Sequence, residues 1–265
     1  MSREKAVRAL HEAKMHDSNI FLTLTYNEES LSSQELDYRH WQLFMKKLRY
    51  NNPDRYMPFM VTGEYGDKNK RPHWHAILFN YQADDAKLKY TTERQEKVYE
   101  SEELTKLWGK GNTEFGSVTI DSAGYVARYA AKKLVHGNDQ DHNFHPIHRT
   151  SCKRAIGRSW IEKYYKHTFE NGYIYLPNGE KCKIPRYYHD WAKEHKPELY
   201  GQYMTRIKLQ QMEDAELRQR KEEMEHLTKV YNSYDQRKPC PLTRNTVKER
   251  ILQSKFKQLQ ERLKL

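Results

Sequence analysis

Two β-favouring runs, residues 56–65 and 72–81, flank the polar turn Gly66-Asp67-Lys68-Asn69-Lys70-Arg71. Apolar runs joined by so short a turn predict an antiparallel hairpin. The second run begins Pro72-His73-Trp74-His75-Ala76-Ile77-Leu78-Phe79. Side chains at i and i+2 of a strand share a face. His73 and His75 therefore point together, and Trp74 and Ala76 point the other way. A hairpin turning between Asp67 and Lys70 also returns Glu64 to the side of His73. Two imidazoles and a carboxylate make a donor set for one divalent ion, and the carboxylate suits Mg²⁺ or Mn²⁺.

A second constellation follows in Tyr125-Val126-Ala127-Arg128-Tyr129-Ala130-Ala131-Lys132-Lys133. The pattern is helical, with Asp121 or Ser122 as the expected cap and Gly137 as the expected end. Tyr125 and Tyr129, at i and i+4, share a face with Arg128 and Lys132. Ala127, Ala130, Ala131 and Leu134 fall on the other side, which is expected to pack. A phenol with a pKa of about 10 is a poor nucleophile at neutral pH, and a nearby cation or metal favours its phenolate. Lys132 or Lys133 can supply that charge, neutralise a phosphate or protonate a leaving oxygen. Phosphodiester cleavage needs a polarised phosphate and an in-line nucleophile. The histidine strand and the tyrosine helix offer these two parts.

The formal net charge of +11 points to a polyanionic partner. Twenty tyrosines and five tryptophans offer stacking surfaces for unpaired bases. Cys152, Cys182 and Cys240 are far apart and form no Cys-x-x-Cys, which argues against a disulfide framework or a zinc ribbon. No apolar run approaches the roughly eighteen residues of a membrane span. The pattern predicts an intracellular protein with no membrane partner.

Predicted helices cover residues 3–16, 37–50, 101–108 and 156–167, and predicted strands cover 20–26 and 113–120. A polar stretch follows Tyr81, and residues 138–150 read as a loop. Asn178-Gly179 marks a short hairpin within 173–185. From Arg186 the chain becomes highly charged and helix-favouring. The expected division is a compact α+β domain over residues 1–185 and a charged helical extension over 186–265.

The order of motifs resembles the rolling-circle replication initiators of the HUH endonuclease superfamily. Phe21-Leu22-Thr23-Leu24-Thr25-Tyr26 is similar to their first motif, His73-Trp74-His75 to their second, and Tyr125 to Lys133 to their tyrosine motif. Residues 3–185 resemble most closely the replication initiators of microviruses, in the gokushovirus-like branch. Ala155-Ile156-Gly157-Arg158-Ser159-Trp160 is a looser match to a further block of that branch.

The resemblance implies a central antiparallel sheet of about five strands with helices on its faces. It implies nicking of single-stranded DNA at a viral origin through a 5′-phosphotyrosine. Tyr125 and Tyr129 alternate as nucleophiles, with the order between them open. Host polymerase and helicase are implied as partners, in the bacterial cytoplasm. Lys68, Lys70, Arg71, Arg128, Lys153, Arg154 and Arg158 are candidate contacts to the DNA backbone. Alternatives are a two-tyrosine transposase, a non-catalytic single-strand binder and a phosphodiesterase that uses water.

Overall fold

The computed structural model describes residues 2–31, 35–66, 70–119, 121–127, 146–151, 153–233 and 244–264. Helix α1 (Ser2–Ala13) precedes β1 (Asn19–Thr25), and α2 (Tyr38–Asn51) precedes the hairpin of β2 (Phe59–Tyr65) and β3 (Pro72–Phe79). Next come β4 (Lys87–Thr91), β5 (Lys97–Glu100), α3 (Glu102–Trp108) and β6 (Thr113–Ser117). A helical segment, α4, occupies residues 121–127. It is followed by β7 (Ile147–Thr150), α5 (Arg158–Asn171), β8 (Ile174–Tyr175), β9 (Lys181–Cys182), α6 (Arg186–His195) and α7 (Pro197–Gln202). A π-helical turn, Tyr203–Lys208, leads into α8 (Leu209–Ser233), and α9 (Arg244–Lys264) ends the described chain. No helix among the described residues is long and apolar enough to cross a membrane.

Seven strands form one sheet in the order β4-β5-β6-β1-β3-β2-β7, and each neighbouring pair is antiparallel. The α+β architecture is the expected one. The sheet is wider than the sequence suggests because two segments hide their strands. The polar stretch after Tyr81 contains the β4–β5 hairpin, and every residue of β4 is exposed. A strand with no buried face carries no apolar alternation to read. The expected loop at 138–150 ends in β7, which pairs Thr150 with Met60 and His148 with Thr62.

Local signals explain most helix ends. Asp37 caps α2 by accepting from Arg39 N at 2.8 Å, and Trp41, Phe44, Met45 and Leu48 form its buried stripe. Ser101 caps α3, and Gly109 ends it in the left-handed conformation. The α4 cap differs from expectation. Thr119 Oγ1 accepts from Ser122 N while Thr119 N donates to Ser122 Oγ. Thr119 thus takes the capping position expected for Asp121 or Ser122, and Ser122 reciprocates from the first turn. Gly137 lies outside the described residues.

The strict alternation of β1 sends its two rows of side chains to different cores. Ile20, Leu22 and Leu24 join Trp74, Ala76 and Leu78 against Trp41, Phe44 and Trp108 of the α2–α3 layer. On the opposite face Ile77, Phe79 and Met60 pack with Ala9 and Leu10 of α1 and with Ala123 and Val126 of α4. His73 and His75 continue that second row of β3, beyond its apolar half.

A third cluster joins Ile161 and Phe169 of α5 to Tyr188 and Trp191 of α6 and to Tyr203. The change from packed to exposed residues therefore falls near Lys208, past the 185/186 border. His11 Nδ1 lies 2.9 Å from the Tyr188 hydroxyl, and its ring stacks on Trp160 with centroids 3.6 Å apart.

Two outcomes test this packing. Gly63 faces Trp74 across the hairpin, and a Cβ there would sit 2.7 Å from Trp74 Cζ3. Gly63→Ala should cost about 1–3 kcal/mol in a urea melt through overpacking. Burial, helped by the charge of Lys14, pushes His11 down from 6.5 to about 3. Neutral His11 therefore favours the fold fully above pH 6.5. As pH falls toward about 3, the unfolded chain binds a proton that the folded chain refuses. Stability should drop by about 1.4 kcal/mol per pH unit in that window. His11→Asn should flatten this slope, and an unchanged slope would assign the acid loss to other groups.

Candidate functional site

Strand register brings the candidate donors together. Glu64 of β2 pairs with His73 of β3, and Thr62 pairs with His75. On the other flank of β3, Thr25 pairs with His73 and Thr23 with His75. Glu64 is buried, at 4% exposure. Its Oε1 lies 3.1 Å from His73 Nε2 and 3.0 Å from His75 Nε2. The donor atoms of all three residues fall within 4.8 Å of one another.

The far ring nitrogens are also held. His73 Nδ1 donates to Arg71 O at 3.1 Å, since a carbonyl only accepts. That tautomer leaves the Nε2 lone pair of a neutral ring aimed at the cluster. His75 Nδ1 lies 3.0 Å from Thr23 Oγ1. Phe21 stacks on the His75 ring at 5.6 Å with planes 6° apart, which fixes the ring plane.

Helix α4 crosses this face of the sheet. Its buried side is Ala123, Val126 and Ala127, as the helical pattern predicts. Tyr125 reaches the cluster, and its hydroxyl donates to Glu64 Oε1 at 2.5 Å. The Tyr125 ring meets His75 edge-on at 5.0 Å. Buried Thr62 anchors the helix by donating to Val126 O at 3.3 Å and accepting from His148 Nδ1 at 2.9 Å. Glu114, Thr23, His75, Thr62 and His148 thus form one polar row across five strands.

The structure brings together four of the residues singled out from sequence: Glu64, His73, His75 and Tyr125. Lys68, Arg128, Tyr129, Lys132 and Lys133 lie outside the described residues. Lys70 sits in the hairpin turn with φ 49°, and its N–H donates to Gly66 O. Arg71 is engaged within the fold. It pairs with Glu28 and donates to Tyr26 O at 2.7 Å. Lys153 and Arg154 follow Ser151, whose N–H bonds Phe59 O at the end of β2 away from Glu64. Arg154 and Arg158 both pair with Glu162, at 2.5 and 2.7 Å.

Sequence reasoning gave no role to Thr23, Thr62 or His148. Thr23 shares the strand parity of Thr25 and faces the hairpin partner His75, so a register argument could have found it. His148 was hidden in a polar, histidine-rich stretch with no periodicity.

Comparison with known proteins adds an independent line. Residues 19–134 match the family of the replication-associated protein ORF2. The replication-associated protein VP4 of Bdellovibrio phage phiMH2K is 55% identical over 272 residues, covering 100% of this chain and 86% of that protein. The replication-associated protein ORF4 of Chlamydia phage 1 is 34% identical over 205 residues, covering 73% of this chain and 50% of that protein. The replication-associated protein ORF2 of Spiroplasma virus 4 is 27% identical over 216 residues, covering 77% of this chain and 67% of that protein. No solved structure gives a significant match.

The Thr62 anchor is directly testable. Thr62→Val takes the hydroxyl from both Val126 O and His148 Nδ1, and should cost about 1–3 kcal/mol in denaturant unfolding. Thr62→Ser should restore most of that loss. Equal stability of the valine variant would show that the anchor contributes nothing.

Proposed function

The chain belongs to the family of phage replication-associated proteins, and from that premise we propose that it nicks and rejoins single-stranded DNA at a viral origin. The observation that carries this reading is the Tyr125 hydroxyl on Glu64 Oε1, beside both histidines. A nucleophile and a cation-binding donor set then act on one phosphate.

The donor set suits Mg²⁺ or Mn²⁺. Cis ligands on an octahedral ion with bonds of about 2.1 Å stand about 3.0 Å apart. The separations from Glu64 Oε1 to the two ring nitrogens, 3.1 and 3.0 Å, agree with that edge. The outer contacts from Thr23 and Arg71 hold the rings as ligands require. When bound, the ion polarises the scissile phosphate and offsets its developing charge.

The protein's own groups carry the remaining steps. Tyr125 Oη directs its proton at Glu64 Oε1, which leaves the oxygen's lone pairs for phosphorus. Attack forms a Tyr–O–P bond to the 5′ phosphate and breaks the bond to the 3′ oxygen. That oxygen takes up a proton, for which Lys132 or Lys133 is the proposed donor, and becomes a 3′-hydroxyl. Host polymerase extends this end while a host helicase opens the duplex. Tyr129, one turn further on, attacks the regenerated origin in the same way. The new 3′-hydroxyl then displaces Tyr125, which regains its proton as the strand is circularised. Either tyrosine serves as the first nucleophile in this scheme. The remaining basic candidates, Lys68, Lys70, Arg128 and Lys153 among them, would follow the DNA backbone in the host cytoplasm.

Covalent capture tests the proposal. The full chain is mixed with its phage's single-stranded genome and Mn²⁺, the DNA is digested, and tyrosine peptides are weighed by mass spectrometry. A nucleotide adduct on the peptide spanning 125–129 is expected. It should vanish in the Tyr125→Phe, Tyr129→Phe double variant and with chelator. Glu64→Gln and His73→Ala should each lower it at least about tenfold, and Thr23→Val should weaken Mn²⁺ binding about 10- to 100-fold. Cleavage without an adduct would point to a water nucleophile. Binding without either product would reduce the protein to a single-strand binder.

A further inference from the structure

A cleft of about 370 Å³ opens directly beside Tyr125 and His75. Its floor is Phe21 and Thr23 of β1 with Phe115 and Gly116 of β6. One wall is the β4–β5 hairpin, through Tyr90, Arg94 and Lys97, and the other is the start of α4, through Thr119 and Ser122. The hairpin is the segment whose sequence gave no structural signal, and its position over this cleft gives it a use.

Three features define what the cleft can hold. Its size lies at the low end of small-ligand pockets, which run from about 300 Å³. That suffices for one nucleotide and excludes a base pair. Its surfaces are shaped for a flat ring. Gly116 pairs with Phe21 and leaves that ring uncovered by a side chain. A Cβ on Gly116 would also meet Lys97 O at 3.2 Å, so glycine lets the hairpin come close. Tyr90 is 45% exposed, yet its hydroxyl is fixed on Glu114 Oε2 at 3.1 Å, and Lys89 grips the other carboxylate oxygen at 2.9 Å. The aromatic surface is therefore preset rather than mobile, which favours stacking.

Charge decides between a base and a phosphate. Glu96, Glu114 and Asp121 line the cleft beside Arg94 and Lys97. Three carboxylates against two cations repel a phosphate. Carboxylates do accept from the amino and imino N–H groups of bases. The phosphate then stays on the histidine side, and the base turns into the cleft.

We propose that this cleft takes one unpaired nucleobase next to the scissile phosphate, and that the β4–β5 hairpin sets the base preference at that position. This deepens the nicking proposal and rests on single-stranded DNA lying across the site.

The test reads binding and cutting separately. Full-length protein is incubated with a randomised single-stranded DNA library and Mn²⁺. The retained strands and the newly formed ends are both sequenced. Wild type should enrich one base at one position of the retained strands, and that position should adjoin the cut. Tyr90→Ala and Arg94→Ala should each reduce that preference at least about fivefold, the size of one lost stacking contact, and leave the other positions unchanged. Tyr90→Phe, which keeps the ring, should retain most of it. Enrichment that is identical in wild type and both alanine variants would overturn the cleft proposal, as would a uniform loss at all positions. A retained base preference with no cut ends would sink the nicking reading and leave the cleft standing.

Discussion

The site exists because β2 and β3 pair in one register and no other. Glu64 meets His73 only while Gly63 meets Trp74. A slip of one residue would turn Glu64 to the α2 face and bring an apolar or aromatic neighbour to the histidines. The lock lies mostly on the opposite face. Trp74 is fully buried, and its Nε1 donates to the Tyr26 hydroxyl at 2.8 Å. That hydroxyl, pushed up to about 12 by burial, stays protonated and reaches His40 Nδ1 at 3.1 Å. Trp74 fills the space that glycine leaves at position 63. At the turn, Arg71 ties the start of β3 to Tyr26 O and Glu28. An apolar core thus aligns a polar cluster that it never touches.

The second sheet face is divided along its strands. Met60, Ile77 and Phe79 bury one half under α1 and α4. The other half holds Glu64, His73 and His75. A buried carboxylate is costly without partners, and here two ring nitrogens and a phenol converge on one of its oxygens. Helix α4 serves both halves, because Val126 packs in the apolar half while Tyr125 reaches the polar one. Its reciprocal Thr119–Ser122 cap and the Thr62 anchor fix its height over the sheet. A nucleophile carried on a helix with two such attachments is placed more sharply than one on a loop.

Much of this was legible before any coordinates. Strand parity put His73 and His75 on one face, and hairpin counting returned Glu64 beside His73. Helical periodicity put Tyr125 opposite Ala127. The missing parts share a physical cause. β4 is an edge strand with no buried side, so it has no apolar rhythm. β7 is four residues long and takes its identity from pairing with β2, a non-local fact. The aromatic cluster of Tyr188, Trp191 and Tyr203 is masked by the charged residues between its members. Thr62 and His148 lie far apart in the chain and meet only through the sheet. Side-chain rows running across strands cannot be read along any one of them.

The contact between His11 and Tyr188 joins residues 177 positions apart. Helix α1 leaves the ribosome among the first segments, yet part of its cover is among the last of the compact region to be made. Glu12 likewise waits for Gly157, whose N–H it accepts at 2.6 Å. A nascent chain that already holds its histidine strand and its tyrosine helix still lacks the clasp that closes the N-terminal helix. Completion of the fold is thereby tied to completion of synthesis, and a truncated chain carries an open seam along α1.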